Sequence, residues 1–136
     1  MEIIRRILGI CKTKQPANPD CWRYAGNRVE VDLALAGELI SPGEAIRLEG
    51  AKHREGRILV VHGENGQYYA FMNKCTHIGH RRIDTVPGEA KLRCCSVSKS
   101  TFDYEGKVIS GPAKDPLTVL PTEVRDGRLV IRLEDR

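Results

Sequence analysis

The sequence predicts an all-β protein, a small antiparallel barrel or sandwich, from three observations. Short runs in which apolar and polar residues alternate recur along the chain. Asn-Gly and Asp-Gly pairs fall between neighbouring runs, and the amphipathic helical stretch is confined to the first ten residues. A chain of 136 residues has the length of a single domain. At that size folding removes roughly two thirds of the unfolded surface from water, so stability requires neither disulfides nor a metal. With 40% hydrophobic and 29% charged residues, the composition excludes wholesale disorder.

Met1 to Ile10 sets Ile3, Ile4, Ile7 and Leu8 on one helical face against Arg5 and Arg6, and Gly9 closes the pattern. This predicts a short N-terminal helix packed on its own domain, with peripheral docking to a membrane surface or a partner as the alternative. The stretch is too short to span a bilayer and lacks the long apolar run and cleavage site of a secretory signal. The expectation is therefore a cytoplasmic protein without a transmembrane span. Cys11 to Asp20 carries two prolines and two lysines and reads as a linker or irregular surface loop. It divides the chain into an N-terminal segment, 1–24, and a globular domain, 25–136.

Val29, Val31 and Leu33 alternate with polar residues and predict a half-buried strand. Leu33 to Ile40 has room for a helical turn or two before Ser41-Pro42-Gly43 breaks it. Ile58 to Val61 is a short apolar run. With Tyr68 to Met72 it predicts a hairpin turned at Asn65-Gly66. A second hairpin is predicted between Thr122-Val124 and Arg128-Leu133, turned at Asp126-Gly127. The net charge of +4 is diffuse, with no basic run and only 5% aromatic residues, which excludes nucleic acid as a partner and suits an acidic protein surface.

Five cysteines cannot all pair within one chain, and their density is below that of small disulfide-built scaffolds. Cys11 and Cys21 flank the proline-containing loop and read as two thiols, with a loop-closing disulfide or metal clip as the alternative. The chemically loaded region runs from Cys75 to Asp103. Cys75-Thr76-His77-Ile78-Gly79-His80 follows the Tyr68-Met72 strand, and Cys94-Cys95 comes after it, with 17 residues between His77 and Cys95. Thiolate plus imidazole is the ligand set of zinc or of an iron–sulfur centre.

These residues resemble the Rieske iron–sulfur family, whose pattern is a Cys-x-His loop followed by a Cys-x-x-His loop. Cys75-Thr76-His77 with Gly79 matches the first loop. Ser100-Thr101-Phe102-Asp103, Gly106, Ser110-Gly111-Pro112-Ala113, Pro116-Leu117 and Asp126-Gly127 match the family pattern downstream of the second loop. The resemblance spans about Val29 to Leu133. It implies a Rieske-type barrel with two cluster-binding loops, and a [2Fe–2S] cluster in which Cys75 and Cys95 hold one iron and His77 the other.

The chain departs from the family in the second loop. Anchoring that loop on Phe102-Asp103 puts Ser98 where the second histidine belongs, Lys99 at the family glycine and Ser96 at the family proline. The outer iron would have one protein ligand fewer. Cys94 is the leading substitute because a thiolate is a strong iron ligand, although consecutive residues of an extended strand point to opposite faces. Ser98 as an alkoxide and His80 swinging in are the alternatives.

The resemblance thus implies an electron carrier serving a reductase and an acceptor, with a non-standard ligand set of Cys75, His77, Cys95 and Cys94. The alternative is a Rieske-fold binding or regulatory module that holds zinc or no metal. The chain has no room for a separate catalytic domain, and no oriented base accompanies its cysteines, so a component of an oxidoreductase system is expected rather than a stand-alone enzyme.

Overall fold

In the computed structural model, residues 13–49, 57–73, 83–86, 88–95, 100–111 and 113–133 are described. The predicted N-terminal helix lies outside them. Among the described residues are twelve strands: β1 (Trp22–Ala25), β2 (Arg28–Asp32), β3 (Ala45–Glu49), β4 (Arg57–His62), β5 (Tyr68–Met72), β6 (Ile83–Val86), β7 (Lys91–Cys94), β8 (Thr101–Phe102), β9 (Val108–Ser110), β10 (Val119–Leu120), β11 (Thr122–Arg125) and β12 (Arg128–Arg132). They form three antiparallel sheets, ordered β1-β2-β12-β11, β10-β5-β4-β3 and β6-β7-β8-β9. The expected all-β class holds.

The sequence explains how the sheets stack. In β4 the four residues Ile58, Leu59, Val60 and Val61 are all fully buried. Ile58 and Val60 pack with Val29, Val31, Leu129 and Ile131 of the first sheet, whereas Leu59 and Val61 pack with Ile83, Leu92 and Phe102 of the third. The middle sheet is covered on both faces, which is why β4 is continuously apolar while β12, covered on one face, alternates. We call these two packings the outer and the inner core.

Local turn chemistry sets the hairpins. Asp126 and Gly127 both have positive φ, 52° and 74°, the backbone that a two-residue hairpin turn needs between β11 and β12. The β4–β5 connection is longer than a two-residue Asn-Gly turn. It runs from Gly63 to Gln67, closed by Gly63 N–H donating to the Gln67 carbonyl at 2.7 Å, with Gly66 at φ 84°. The predicted helical turn after Leu33 is a single 3-10 turn, Gly37–Leu39, which buries Leu39 in the outer core.

Residues 13–17 lie along the domain surface as a strap. The Lys14 carbonyl accepts from Arg47 N–H of β3 at 3.0 Å, Thr13 N–H donates to Asp84 Oδ1 at 2.9 Å, and Ala17 N–H donates to Glu38 Oε2 at 2.7 Å. The strap covers the open edge of β3, where backbone groups would otherwise face outward.

On the solvent side of the first sheet, Glu30 accepts from Arg23 at 3.1 Å and from Arg28 at 2.9 Å, with Arg128 at 3.6 Å. The hydrogen bonds from Arg23 and Arg28 hold its carboxyl below the usual carboxylate range. A depressed folded-state pKa contributes stability that is full above the unfolded carboxylate value and is lost as pH falls through the folded one. Acid titration of thermal stability should therefore be shallower in Glu30→Gln than in the parent below about pH 4.3, the unfolded glutamate value. Parallel acid limbs would refute the assignment.

Candidate metal centre

Strands β6 and β7 form an antiparallel hairpin in which Ile83 pairs with Cys94. Residues 74–82 lead into Ile83, and residues 95–99 leave from Cys94, so both segments that carry sequence-predicted ligands attach at one end of the third sheet. Each is clamped at its base. For the first, Asn73 Oδ1 accepts from Ile83 N–H at 2.7 Å, and Asn73 N–H donates to the Arg57 carbonyl at 2.9 Å. For the second, Cys94 N–H donates to the Ser100 carbonyl at 2.8 Å. Ser100 Oγ in turn accepts from Ala113 N–H at 3.1 Å, which ties the segment after Ser110-Gly111 to the same end. Asn73 and Ser100 are buried at 1% and 0% exposure, so these bonds are shielded from water.

The predicted ligands divide between described and undescribed residues. Cys75, His77, His80 and Ser98 lie outside the described residues. Cys95 is buried just beyond β7 and is disulfide-bonded. Cys94 is a reduced, buried cysteine. In β7 it shares the buried face with Leu92, and it packs in the inner core with Leu59, Phe71 and Ile83. Cys21 is a free thiol in the outer core, away from the hairpin. Burial, with the nearby Glu38 charge, pushes its pKa up, so it is a poor nucleophile and packs as a small apolar residue. Among the described residues no three His, Cys, Asp or Glu side chains converge as a metal site.

Sequence reasoning missed Asn73, and it placed Ser100 in the family pattern without reading its role as a clamp. A polar residue after an apolar strand reads as turn chemistry, and nothing in the sequence separates a buried loop clamp from an exposed turn.

The Rieske [2Fe–2S] domain family model matches residues 31–121. This chain belongs to that family. The Rieske domain is 26% identical over 98 residues to the 3-phenylpropionate/cinnamic acid dioxygenase ferredoxin subunit of Escherichia coli K12, an alignment that covers 71% of this chain and 87% of the relative. Among solved structures, it is similar to the cyanobacterial plasma membrane Rieske protein of Synechocystis PCC 6803, with TM-score 0.53, 27% identity, and 65% and 85% of the two chains covered. The ferredoxin of carbazole 1,9a-dioxygenase from Nocardioides aromaticivorans IC177, at 18% identity and TM-score 0.57 over 77% of this chain and 98% of that one, shares the fold. The electron-transfer reading agrees with the ferredoxin subunit of Escherichia coli. No helix among the described residues is long and apolar enough to cross a membrane.

The described part of the Rieske domain fits the family's cluster. Cys95 would supply a buried sulfur at the shared end of the two segments. Asn73 Nδ2, buried at the base of the first, has no hydrogen-bond partner among the described residues and suits an electron-rich sulfur acceptor. Ligation by Cys95 requires its disulfide to be reduced first.

Proposed function

We propose that this Rieske domain carries single electrons on a [2Fe–2S] cluster held by Cys75, His77 and Cys95, with an anionic fourth ligand in place of the second histidine. The observation that carries the proposal is the common attachment of the two ligand-bearing segments at the clamped end of the β6–β7 hairpin. The cluster supplies one-electron redox chemistry when bound. The chain's own residues hold the segments: Asn73 closes the first, and Ser100 closes the second and joins it to Ala113.

For the fourth ligand, the inner-core packing of Cys94 favours a structural role for that thiol, and the family register favours Ser98; His80 is the neutral alternative. Either anion in place of a neutral imidazole stabilises the oxidised cluster and lowers the reduction potential. By analogy with the dioxygenase ferredoxin relatives, the donor is a reductase and the acceptor an oxygenase component, met in the cytoplasm. The electron-carrying domain spans residues 25–136 together with the rest of β1, which completes its first sheet.

The test is anaerobic reconstitution of the full chain with ferric iron and sulfide after thiol reduction and removal of the reductant. The expected product is brown, with visible absorbance and two irons and two sulfides per chain. A colourless product without bound iron would overturn the proposal and leave a cofactor-free binding module. Uptake of zinc in place of iron would make the site structural.

A further inference from the structure

Asn73 is the most deeply buried polar residue at the base of the first ligand segment, with 1% exposure. Its carboxamide orientation follows from its bond: Ile83 N–H is a donor, so the atom facing it at 2.7 Å is Oδ1, and Nδ2 is the other branch of the group. Nδ2 is buried without a hydrogen-bond partner among the described residues. A buried N–H left unpaired forfeits its hydration for nothing in return, and native proteins rarely retain one without a reason. Its position supplies a reason. Nδ2 shares a carbon with the oxygen bound to Ile83, Ile83 pairs with Cys94, and Cys95 comes next, while in sequence Asn73 stands two residues before Cys75.

Resting on the cluster reading above, we infer that Asn73 Nδ2 donates a hydrogen bond to a sulfur of the bound cluster or of its cysteine ligands. The one side chain then has two tasks. Oδ1 fixes the base of the segment, and Nδ2 stabilises negative charge on sulfur. Hydrogen bonds to sulfur favour the reduced, more negative state, so this donor raises the reduction potential and offsets part of the drop caused by an anionic fourth ligand.

The experiment uses the full chain, reconstituted anaerobically with ferric iron and sulfide, in which the asparagine side-chain amide carries the heavy nitrogen isotope. Pulsed electron paramagnetic resonance of the dithionite-reduced protein should show a coupling from one labelled amide nitrogen. Asn73→Asp keeps an oxygen for Ile83 N–H and removes the donor. It should lose that coupling, along with the matching exchangeable-proton coupling, and show a lower midpoint potential. A brown, paramagnetic parent with no labelled-amide coupling, or one whose coupling persists in Asn73→Asp, would overturn the inference and leave the cluster reading intact. A colourless parent would overturn both. The parent measurement decides even where the variant folds poorly.

Discussion

Replacing Ser98 by histidine is expected to raise the reduction potential and to make it pH-dependent. Clusters with two imidazole ligands fall at about −150 to +300 mV, whereas all-thiolate plant-type clusters lie near about −400 mV. With one imidazole and an anionic fourth ligand, the parent should lie between these ranges. Ser98→His supplies a neutral ligand at the family position, so its potential should move into the upper range. It also adds a second titrating imidazole: above its pKa the deprotonated ring favours the oxidised cluster, so the potential should fall more steeply with rising pH than in the parent. Cyclic voltammetry across neutral to alkaline pH measures both effects. If potential and slope match those of the parent, position 98 does not face the cluster, and Cys94 or His80 is the ligand.

The second large effect is expected at Phe71. Its side chain is fully buried in the centre of the inner core, and its neighbours across the middle sheet are Leu59 and Val119. Phe71→Ala should cost about 3–5 kcal/mol, from lost transfer energy and the cavity left behind. For a chain of this size that is roughly 10–20 °C in melting temperature. Ile83, Leu92 and Cys94 seat the β6–β7 hairpin on this same core. The variant should therefore also lose iron faster to a chelator. Val60→Ala, on the other face of the same sheet, acts on the outer core and is the control. Equal iron loss per unit of stability in the two variants would show that the hairpin does not depend on the inner core.

The two hairpins around Asn65-Gly66 and Asp126-Gly127 were legible in the sequence because turn conformation is written in adjacent residues. The pairing of β2 with β12 was not, because it joins segments about a hundred residues apart and no local signal selects a partner. The apolar run of β4 was legible as a strand, but its burial on both faces appears only once the flanking sheets are in place. At the site, the resemblance to the Rieske pattern implies Cys75, His77 and Cys95 as ligands, and of these Cys95 is among the described residues. The inward face shared by Leu92 and Cys94 follows the strand alternation that had already counted against two adjacent ligands. Asn73 stayed hidden because its role depends on a contact with Ile83 across the undescribed segment.

The strap of residues 13–17 bears on how far this chain can be shortened. A fragment starting at residue 25 would discard β1 as well as the strap, leaving β2 and β3 as bare outer strands of two different sheets. Uncovered strands recruit one another between molecules. The stretch with the composition of a spacer thus covers the β3 edge, and shortening the chain past it is expected to promote edge-to-edge pairing between copies.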